Sequence, residues 1–405
     1  MWRLPIAFLL TPLLACAQQY VISTFAGGAP PPLSAVATGT SIGNPLGITT
    51  DAAGNIYFVS LNCVFRIDSK GTLTRIAGTG AGGFAGDGLA ATSAKIFQPR
   101  GVALDPSGNI YVADSSNGRI RRITSAGIIA TVAGNGGAGF SGDGGPAVNA
   151  TLEPSGVTVD AAGNLIVYDG GNFRIRKVTP NGIVQTIAGN GVYGFAGDGG
   201  PALNASLSPG SGIAADPAGN VYFADTSNGR IRKIDTNGTI TTVAGGGTGG
   251  DGAPATQASL GLVSDVAIDS VGRLFISTAS SIRVVDTSGI VSTISPPAAT
   301  RDPILGVNAL AVDSSGNVLI ADVTGRIRAI SRCSRSQHTG GPRRALFRCE
   351  PESAERPPGR SGQRCGRHLR ERPDRGLKLF LAVSRLARRN NQRYWRSEEP
   401  VRRRG

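Results

Sequence analysis

A short pattern, Asp-x-x-Gly followed by Asn or Arg, recurs along the chain and constrains its fold more than any other feature. The pattern begins at Asp51, Asp105, Asp160, Asp216, Asp269 and Asp313, at intervals of 54, 55, 56, 53 and 44 residues. A self-similar period near fifty residues is typical of arrays and propellers, in which each unit buries its apolar face only against its neighbours. We therefore treat the repeat, and not the whole chain, as the folding unit.

Each repeat reads as four short strands. Residues 101–134 contain the runs GVALD, NIYVAD, RIRRIT and IIATVAG, each rich in β-branched residues and bounded by Gly, Asn, Asp, Ser or Pro. In the turn from Asp105 to Asn109, the Asp side chain can bond its own turn and the Gly can adopt a positive φ. Four strands in meander order make one propeller blade.

The two ends of the repeat region predict how the ring closes. The sixth unit, ending at Ser331, supplies only three strands, whereas Tyr20 to Gly27 matches the outer strand of the other units. Pairing of this N-terminal strand with the last blade would hide two sheet edges at once. The sequence thus predicts an all-β, six-bladed propeller of four-stranded blades over residues 18–331, closed by its N-terminal strand.

These motifs resemble the bacterial NHL-repeat family. The resemblance is carried by GVALDPSGNIYVADSSNGRIRRI (101–123) and GIAADPAGNVYFADTSNGRIRKI (212–234), and by the loop AGNGGAGFSGDGGPAVNATL (133–152). It implies a propeller used mainly as a recognition surface. Because related six-bladed propellers include lactonases and a peptide-amidating lyase, the fold alone leaves the chemistry open.

The N-terminal residues predict export. Residues 1–17 carry a basic start, an apolar run and a small-x-small site before Gln18, which is typical of a cleaved signal peptide. We expect a secreted or periplasmic protein. The same residues resemble a lipobox, and lipidation of Cys16 would instead anchor the protein to the envelope membrane.

The tail, residues 332–405, breaks the pattern abruptly. It carries 21 basic and 7 acidic residues, against 19 and 20 in residues 18–331, so the net charge of +14 belongs to the tail and not to the propeller. A neutral propeller argues against nucleic acid as its partner. We interpret the tail as a frameshift product or, alternatively, a disordered basic arm; zinc binding by its cysteines and histidines is disfavoured because no paired metal-ligand spacing occurs.

A repeated acid and a repeated base travel together in four units. The Asp that ends the second strand and the Arg that begins the third are present together or absent together, as a structural ion pair across the turn would require. The predicted pairs are Asp114 with Arg119, Asp169 with Arg174, Asp225 with Arg230, and Asp322 with Arg326.

Long loops between the units carry the candidate binding residues. Each presents a Phe and an Asp within Gly-Phe-(Ala/Ser)-Gly-Asp-Gly, and a shortened form ends at Asp251. Such loops could offer a ring of contacts on one face, or the Phe could fill a groove between blades while Asp and Gly make a turn; the regular repetition favours the second interpretation. The candidates are Phe84, Asp87, Phe140, Asp143, Phe195, Asp198 and Asp251.

Catalytic residues are hard to find in the repeat region. Both histidines, His338 and His368, lie in the tail, so the propeller cannot build a histidine-based acid–base pair or triad. Residues that depart from the repeat are weak candidates, namely Glu153, Asp265, Arg301 and Asp302.

We therefore expect a monomeric, non-enzymatic binding or scaffold propeller that recognises an extracellular protein, peptide or glycan through one loop face, without a cofactor. The alternative is a hydrolase or lyase that uses Asp residues and a divalent cation at the central channel.

Overall fold

The structure is a computed structural model that describes residues 20–26, 34–279, 281–294, 304 and 306–332. The predicted signal peptide with Cys16, the candidates Arg301 and Asp302, and the predicted tail from residue 333 onward lie outside the described residues. Arg332, which we assigned to the tail, ends the last strand of the propeller.

The described strands form six antiparallel sheets, and no α-helix occurs among these residues. The strand that opens the described chain is β1 (Tyr20–Ala26). Blade 1 contains β2 (Ser34–Val36), β3 (Gly47–Thr50), β4 (Ile56–Ser60), β5 (Cys63–Ile67) and β6 (Thr72–Ala77). Blade 2 contains β7 (Gly101–Leu104), β8 (Ile110–Asp114), β9 (Arg119–Ile123) and β10 (Ile129–Ala133). Blade 3 contains β11 (Pro154–Val159), β12 (Leu165–Asp169), β13 (Arg174–Val178) and β14 (Val184–Ala188).

Blades 4 to 6 follow the same order. Blade 4 contains β15 (Ile213–Ala215), β16 (Val221–Asp225), β17 (Arg230–Ile234) and β18 (Ile240–Gly245). Blade 5 contains β19 (Val263–Ile268), β20 (Leu274–Thr278), β21 (Ile282–Val285) and β22 (Val291–Ile294). Blade 6 contains β23 (Val307–Val312), β24 (Val318–Asp322), β25 (Arg326–Arg332) and, as its outer strand, β1.

Short 3-10 turns occupy the connections. Those between second and third strands are Ser115–Asn117, Gly170–Asn172 and Thr226–Asn228. Those in or near the connections that precede a first strand are Ala37–Gly39, Ala91–Ser93, Ala147–Asn149, Ala202–Asn204 and Ala255–Gln257.

The six-bladed ring and its closure are confirmed. β1 pairs antiparallel with β25, from Tyr20 opposite Arg332 to Ala26 opposite Ile327, and the first strand of blade 6 packs against that of blade 1. The sequence did not reveal β2, which pairs with β6 and gives blade 1 a fifth strand.

The predicted hairpin chemistry is also confirmed. Asp105 accepts hydrogen bonds from the backbone amides of Ser107 and Asn109, both at 2.9 Å, and from the Asn109 side-chain amide at 2.7 Å. Gly108 adopts a φ of +78°, a region that side chains resist. Each hairpin of this type places the first and second strands of its blade in register.

The core is divided among the blade interfaces. Six clusters of buried apolar residues are present in the described part of the chain, and each joins residues of two adjacent blades. One of them combines Phe58 and Phe65 of blade 1 with Ala321 and Ile327 of blade 6. Burial between neighbours is what holds the first strands around a common axis.

Candidate functional site

A cavity of about 950 Å³ opens where the first strands of all six blades begin. Its walls come from the turns between second and third strands and from the loops that lead into the first strands. We call this cavity the axial funnel. Its lining residues are Leu46, Arg100, Ser115, Ser116, Gly118, Gly136, Gly137, Ala138, Leu152, Glu153, Pro154, Ser155, Gly170, Gly171, Phe173, Pro209, Gly210, Ser211, Thr226, Ser264 and Asn308.

Below the funnel the axis narrows to a throat of about 60 Å³. Glycine occupies the same position of the first strand in four blades, at 47, 101, 156 and 212. A Cβ atom at Gly101 would lie only 2.9 Å from the backbone nitrogen of Val157 in the next blade. The glycines therefore allow neighbouring first strands to approach closely around the axis.

Asp265 breaks this ring of small residues. It stands in blade 5 where four blades have glycine and blade 6 has Ala309, and its side chain lines the throat. Its carboxylate accepts hydrogen bonds from the backbone amides of Val266 and Leu310, both at 2.8 Å. Burial raises the pKa of Asp265 to about 7, although both hydrogen bonds act in the opposite direction.

Two charged side chains, Arg100 and Glu153, line the funnel, and both are exposed. Glu153 Oε1 accepts a hydrogen bond of 3.0 Å from the Gly139 amide, and the Glu153 amide donates to Asp169 at 2.7 Å. The remaining polar lining is neutral: hydroxyl groups, the Asn308 amide and glycine backbone. The funnel is thus suited to an uncharged ligand rich in hydrogen-bonding groups.

The funnel is not six-fold symmetric, because several departures from the repeat lie on the side of blades 3 and 4. Phe173 has a φ of +52° at a position where blades 2 and 4 have Gly118 and Gly229. The Phe173 ring meets the ring of Tyr193 edge-on, with centroids 5.8 Å apart.

A third aromatic residue holds blades 3 and 4 together beneath this side of the funnel. Tyr168 is fully buried, and its hydroxyl donates to the carbonyl of Ser208 at 2.9 Å. Gly210 leaves room for the phenol, since a Cβ there would lie 2.8 Å from the Tyr168 oxygen.

The candidate binding residues of the long loops lie elsewhere and are engaged within the protein. The carboxylate of Asp87 forms a 2.6 Å ion pair with Arg121 and accepts a 2.7 Å hydrogen bond from Thr131. The Phe84 ring centroid lies 3.8 Å from the guanidinium carbon of Arg119. We call this set of contacts the loop clamp.

The loop clamp recurs in the next two loops. Asp143 pairs with Arg176 at 2.7 Å and Asp198 with Arg232 at 2.8 Å, while Phe140 and Phe195 lie beneath Arg174 and Arg230. The shortened loop keeps the Asp251–Arg283 pair at 2.9 Å. These loops therefore lie against the third and fourth strands of the following blade, away from the axis, and the groove-filling role of the phenylalanines stays a prediction.

The predicted ion pairs require a correction. Asp114, Asp169 and Asp225 form ion pairs with Arg121, Arg176 and Arg232, at 3.3, 3.3 and 3.5 Å. The arginines predicted as partners, at 119, 174 and 230, stand opposite these acids in the ladder, but their guanidinium groups stack on the loop phenylalanines.

Blade 6 shows the same shift of partner. Asp322 pairs with Arg328 at 2.9 Å, and the Arg326 backbone amide donates to Asp322 at 3.1 Å. Side chains alternate along a strand, so a partner two residues further along lies on the same face of the sheet as the first. The sequence analysis predicted the arginine that is nearer to the acid along the chain.

Sequence reasoning missed Arg100, Phe173 and Tyr193, and it listed Glu153 and Asp265 only as weak candidates. The signal that finds them is departure from the repeat at positions near the axis or in turns. Among the described residues no group of three or more His, Cys, Asp or Glu side chains could hold a metal ion, so the divalent cation of the enzymatic alternative stays a prediction. The part of the chain described here contains no helix of the length and apolarity that membrane crossing requires.

The chain resembles proteins from animals and bacteria. The Teneurin NHL domain family matches residues 80–141 and 193–249. Teneurin-1 of Mus musculus is 32% identical over 228 residues, a match that covers 50% of this chain and only 8% of the relative.

Among solved structures, two propellers illustrate the likeness. An auxiliary nutrient binding protein of Bacteroides ovatus has a TM-score of 0.57 and 14% identity, over 78% of this chain and 77% of that one. A gluconolactonase of Xanthomonas campestris has a TM-score of 0.51 and 14% identity, over 77% and 90%. At this identity the likeness concerns the fold. With the repeat, the blades and the family match taken together, the chain forms a six-bladed β-propeller whose repeats resemble those of the Teneurin NHL domain family.

Proposed function

We propose that this protein is an exported, non-enzymatic binding propeller whose axial funnel takes a neutral ligand carried by an extracellular protein, peptide or glycan. The observation that carries the proposal is the chemistry of the funnel wall. A cavity of about 950 Å³ is large enough for a small ligand or for part of a larger one. Its hydroxyl and amide groups offer hydrogen bonds, and its charged lining residues are one arginine and one glutamate.

Other features support the same class of function. The propellers of similar fold include nutrient-binding proteins as well as a gluconolactonase, so the fold is compatible with binding and with catalysis. The Asp residues of the long loops are held in internal ion pairs, which leaves the funnel as the better place for a ligand. Export is proposed from the pattern of residues 1–17 alone.

The chain offers a substitution that should narrow the funnel without disturbing the fold. Ala138 lines the funnel, and Tyr193 occupies the same position in the next long loop. Ala138→Tyr is therefore compatible with this loop conformation. We expect the full-length variant to lose tenfold or more in affinity for the glycans or peptides that the wild-type chain captures on immobilised arrays.

The matched control is Leu203→Ala, a change at an exposed side chain in the 3-10 turn Ala202–Asn204. This variant should bind as the wild type does. Equal affinity of wild type and Ala138→Tyr for every captured probe would place the ligand outside the funnel and contradict the proposal.

A further inference from the structure

We propose that the ligand of the axial funnel is a carbohydrate, and that Phe173 and Tyr193 form the wall on which a sugar ring stacks. This inference rests on the proposed function and names its ligand class. A sugar ring has an apolar face of C–H groups and an edge of hydroxyl groups. A site that recognises it needs an aromatic surface on one side and neutral hydrogen-bonding groups on the other.

Phe173 occupies a turn position at which blades 2 and 4 have glycine. Its φ of +52° lies in the left-handed region, where a Cβ atom comes too close to the following carbonyl oxygen. Blades 2 and 4 satisfy the same turn with Gly118 and Gly229, at φ values of +60° and +62°. Strain that the neighbouring blades avoid is typical of a position kept for function.

Tyr193 is a second departure on the same side of the funnel. It follows Val192 in the long loop between blades 3 and 4, where the preceding loop has Gly137 and Ala138. The Tyr193 side chain is 59% exposed and Val192 is 57% exposed. An apolar pair that adds exposed surface to an otherwise regular loop points to a contact with another molecule.

The polar groups of the funnel complete the arrangement. Ser211 and Thr226 of blade 4 line the funnel with Phe173, and Ser115 and Ser116 of blade 2 line it as well. Serine and threonine hydroxyls donate and accept hydrogen bonds, as sugar hydroxyls do. Phe173 and the hydroxyl groups therefore line one cavity, and Tyr193 adjoins it through the contact of its ring with that of Phe173.

An extended peptide fits this face less well. Strand addition requires an accessible sheet edge, but the inner edges of the blades face a throat of only about 60 Å³. The outer edge of blade 2 is partly covered by its own loop, because Gly88 and Leu89 exchange backbone hydrogen bonds with Ile129 at 2.8 and 3.1 Å. We therefore favour the sugar over the peptide.

The test uses the full-length chain on an array of neutral glycans, with an array of random peptides as the alternative ligand. Phe173→Gly introduces the residue that blades 2 and 4 have at this position, and Tyr193→Ala introduces the residue that the preceding loop has there, Ala138. For the best-bound glycan we expect each variant to raise the Kd at least tenfold, while Leu203→Ala leaves it unchanged. The melting temperature of both variants should stay close to that of the wild type, because each introduces a residue that the repeat already uses.

The outcomes separate this inference from the proposed function. Glycan binding that both variants retain overturns the stacking wall, although loss of binding in Ala138→Tyr would still support the funnel. Binding of peptides and not of glycans overturns the carbohydrate and leaves the funnel in place. If the wild-type chain binds neither array, both proposals fall.

Discussion

At the scale of single residues, Asp265 is an acidic side chain in mostly apolar surroundings. A carboxyl group stands in a throat lined otherwise by glycine, alanine and aliphatic residues of the first strands, with Asn308, Arg100 and Ser211 at its upper end. Its pKa of about 7 means that folding raises the proton affinity of this group above its ordinary value of 3.8. The charged form of Asp265 is thus tolerated and not favoured by the fold.

This shift predicts how stability depends on pH. Between pH 4 and pH 7 the folded chain holds a proton on Asp265 that the unfolded chain releases, so this contribution to stability is present at low pH and is lost as the pH rises through 7. The free energy of unfolding should increase by on the order of 1–3 kcal/mol through this group when the pH falls from 8 to 5. Urea unfolding at several pH values measures it.

The control is Asp265→Ala, which restores the residue found at the same position of blade 6. The difference in pH dependence between the two proteins isolates Asp265, because other acids titrate in both. Parallel pH profiles for wild type and variant would show that Asp265 has an ordinary pKa.

At the scale of structural elements, the loop clamp ties each of the three full-length long loops to the blade that follows it. Arg121 is fully buried and contacts two acids, Asp114 on the neighbouring strand and Asp87 in the loop. Blade 1 shows what happens without this network: Ser60 and Phe65 stand in place of Asp114 and Arg121, and Phe65 stacks on Phe58 at 5.2 Å. Blade 5 keeps Arg283 without the strand acid, because Asp251 of the loop still pairs with it.

Blade 1 therefore supplies the test of the clamp in blade 2. Arg121→Phe leaves the buried Asp114 without its arginine and should cost about 3–5 kcal/mol of unfolding free energy. Adding Asp114→Ser removes the stranded charge, so the double variant should be more stable than Arg121→Phe alone. Chemical unfolding of Arg121→Phe, Asp114→Ser and the double variant, each compared with the wild type, gives the coupling energy, which should exceed about 1 kcal/mol. Strictly additive losses would mean that the two side chains act independently.

At the scale of the whole molecule, the ring depends on a strand from the opposite end of the repeat region. β1 covers the outer edge of β25, and without it the last blade would present unpaired backbone groups. Each blade also relies on two neighbours for its core. A substitution that destabilises one blade should therefore also lower the stability of the blades on either side of it.

Truncation tests this closure. A chain lacking residues 1–26 should melt about 5 °C below a chain lacking residues 1–19, since a loss of about 3 kcal/mol lowers the melting temperature of a protein this size by that amount. A synthetic peptide of residues 20–26 should restore part of the loss when it is added in excess. Identical melting curves for the two truncations would show that β1 does not close the ring.

The repeat allowed the architecture to be predicted from the sequence, but it did not allow the candidate site to be predicted. Spacing and turn chemistry define strands locally, so the blades, the Asp105 turn and the closing strand could be predicted from the sequence. Which arginine pairs with each buried acid could not be predicted, because Arg119 and Arg121 are the same residue type and lie two positions apart on the same strand. The funnel was missed because its wall combines turns of several blades, and residues such as Ser115 and Ser211 carry no signal in the sequence until the turns are brought together.

Among the described residues, the close approach of the first strands at Gly101 and its counterparts leaves only a narrow throat below the axial funnel. A ligand that enters the wide end meets a constriction with room for only a few water molecules, so it must leave by the way it came. Entry and exit of the ligand then use the same end of the funnel, and a large molecule bound there would block the exit of a smaller one below it. The hairpins formed around Asp105 and its equivalents lie at the opposite end of the first strands, so a ligand in the axial funnel does not contact them.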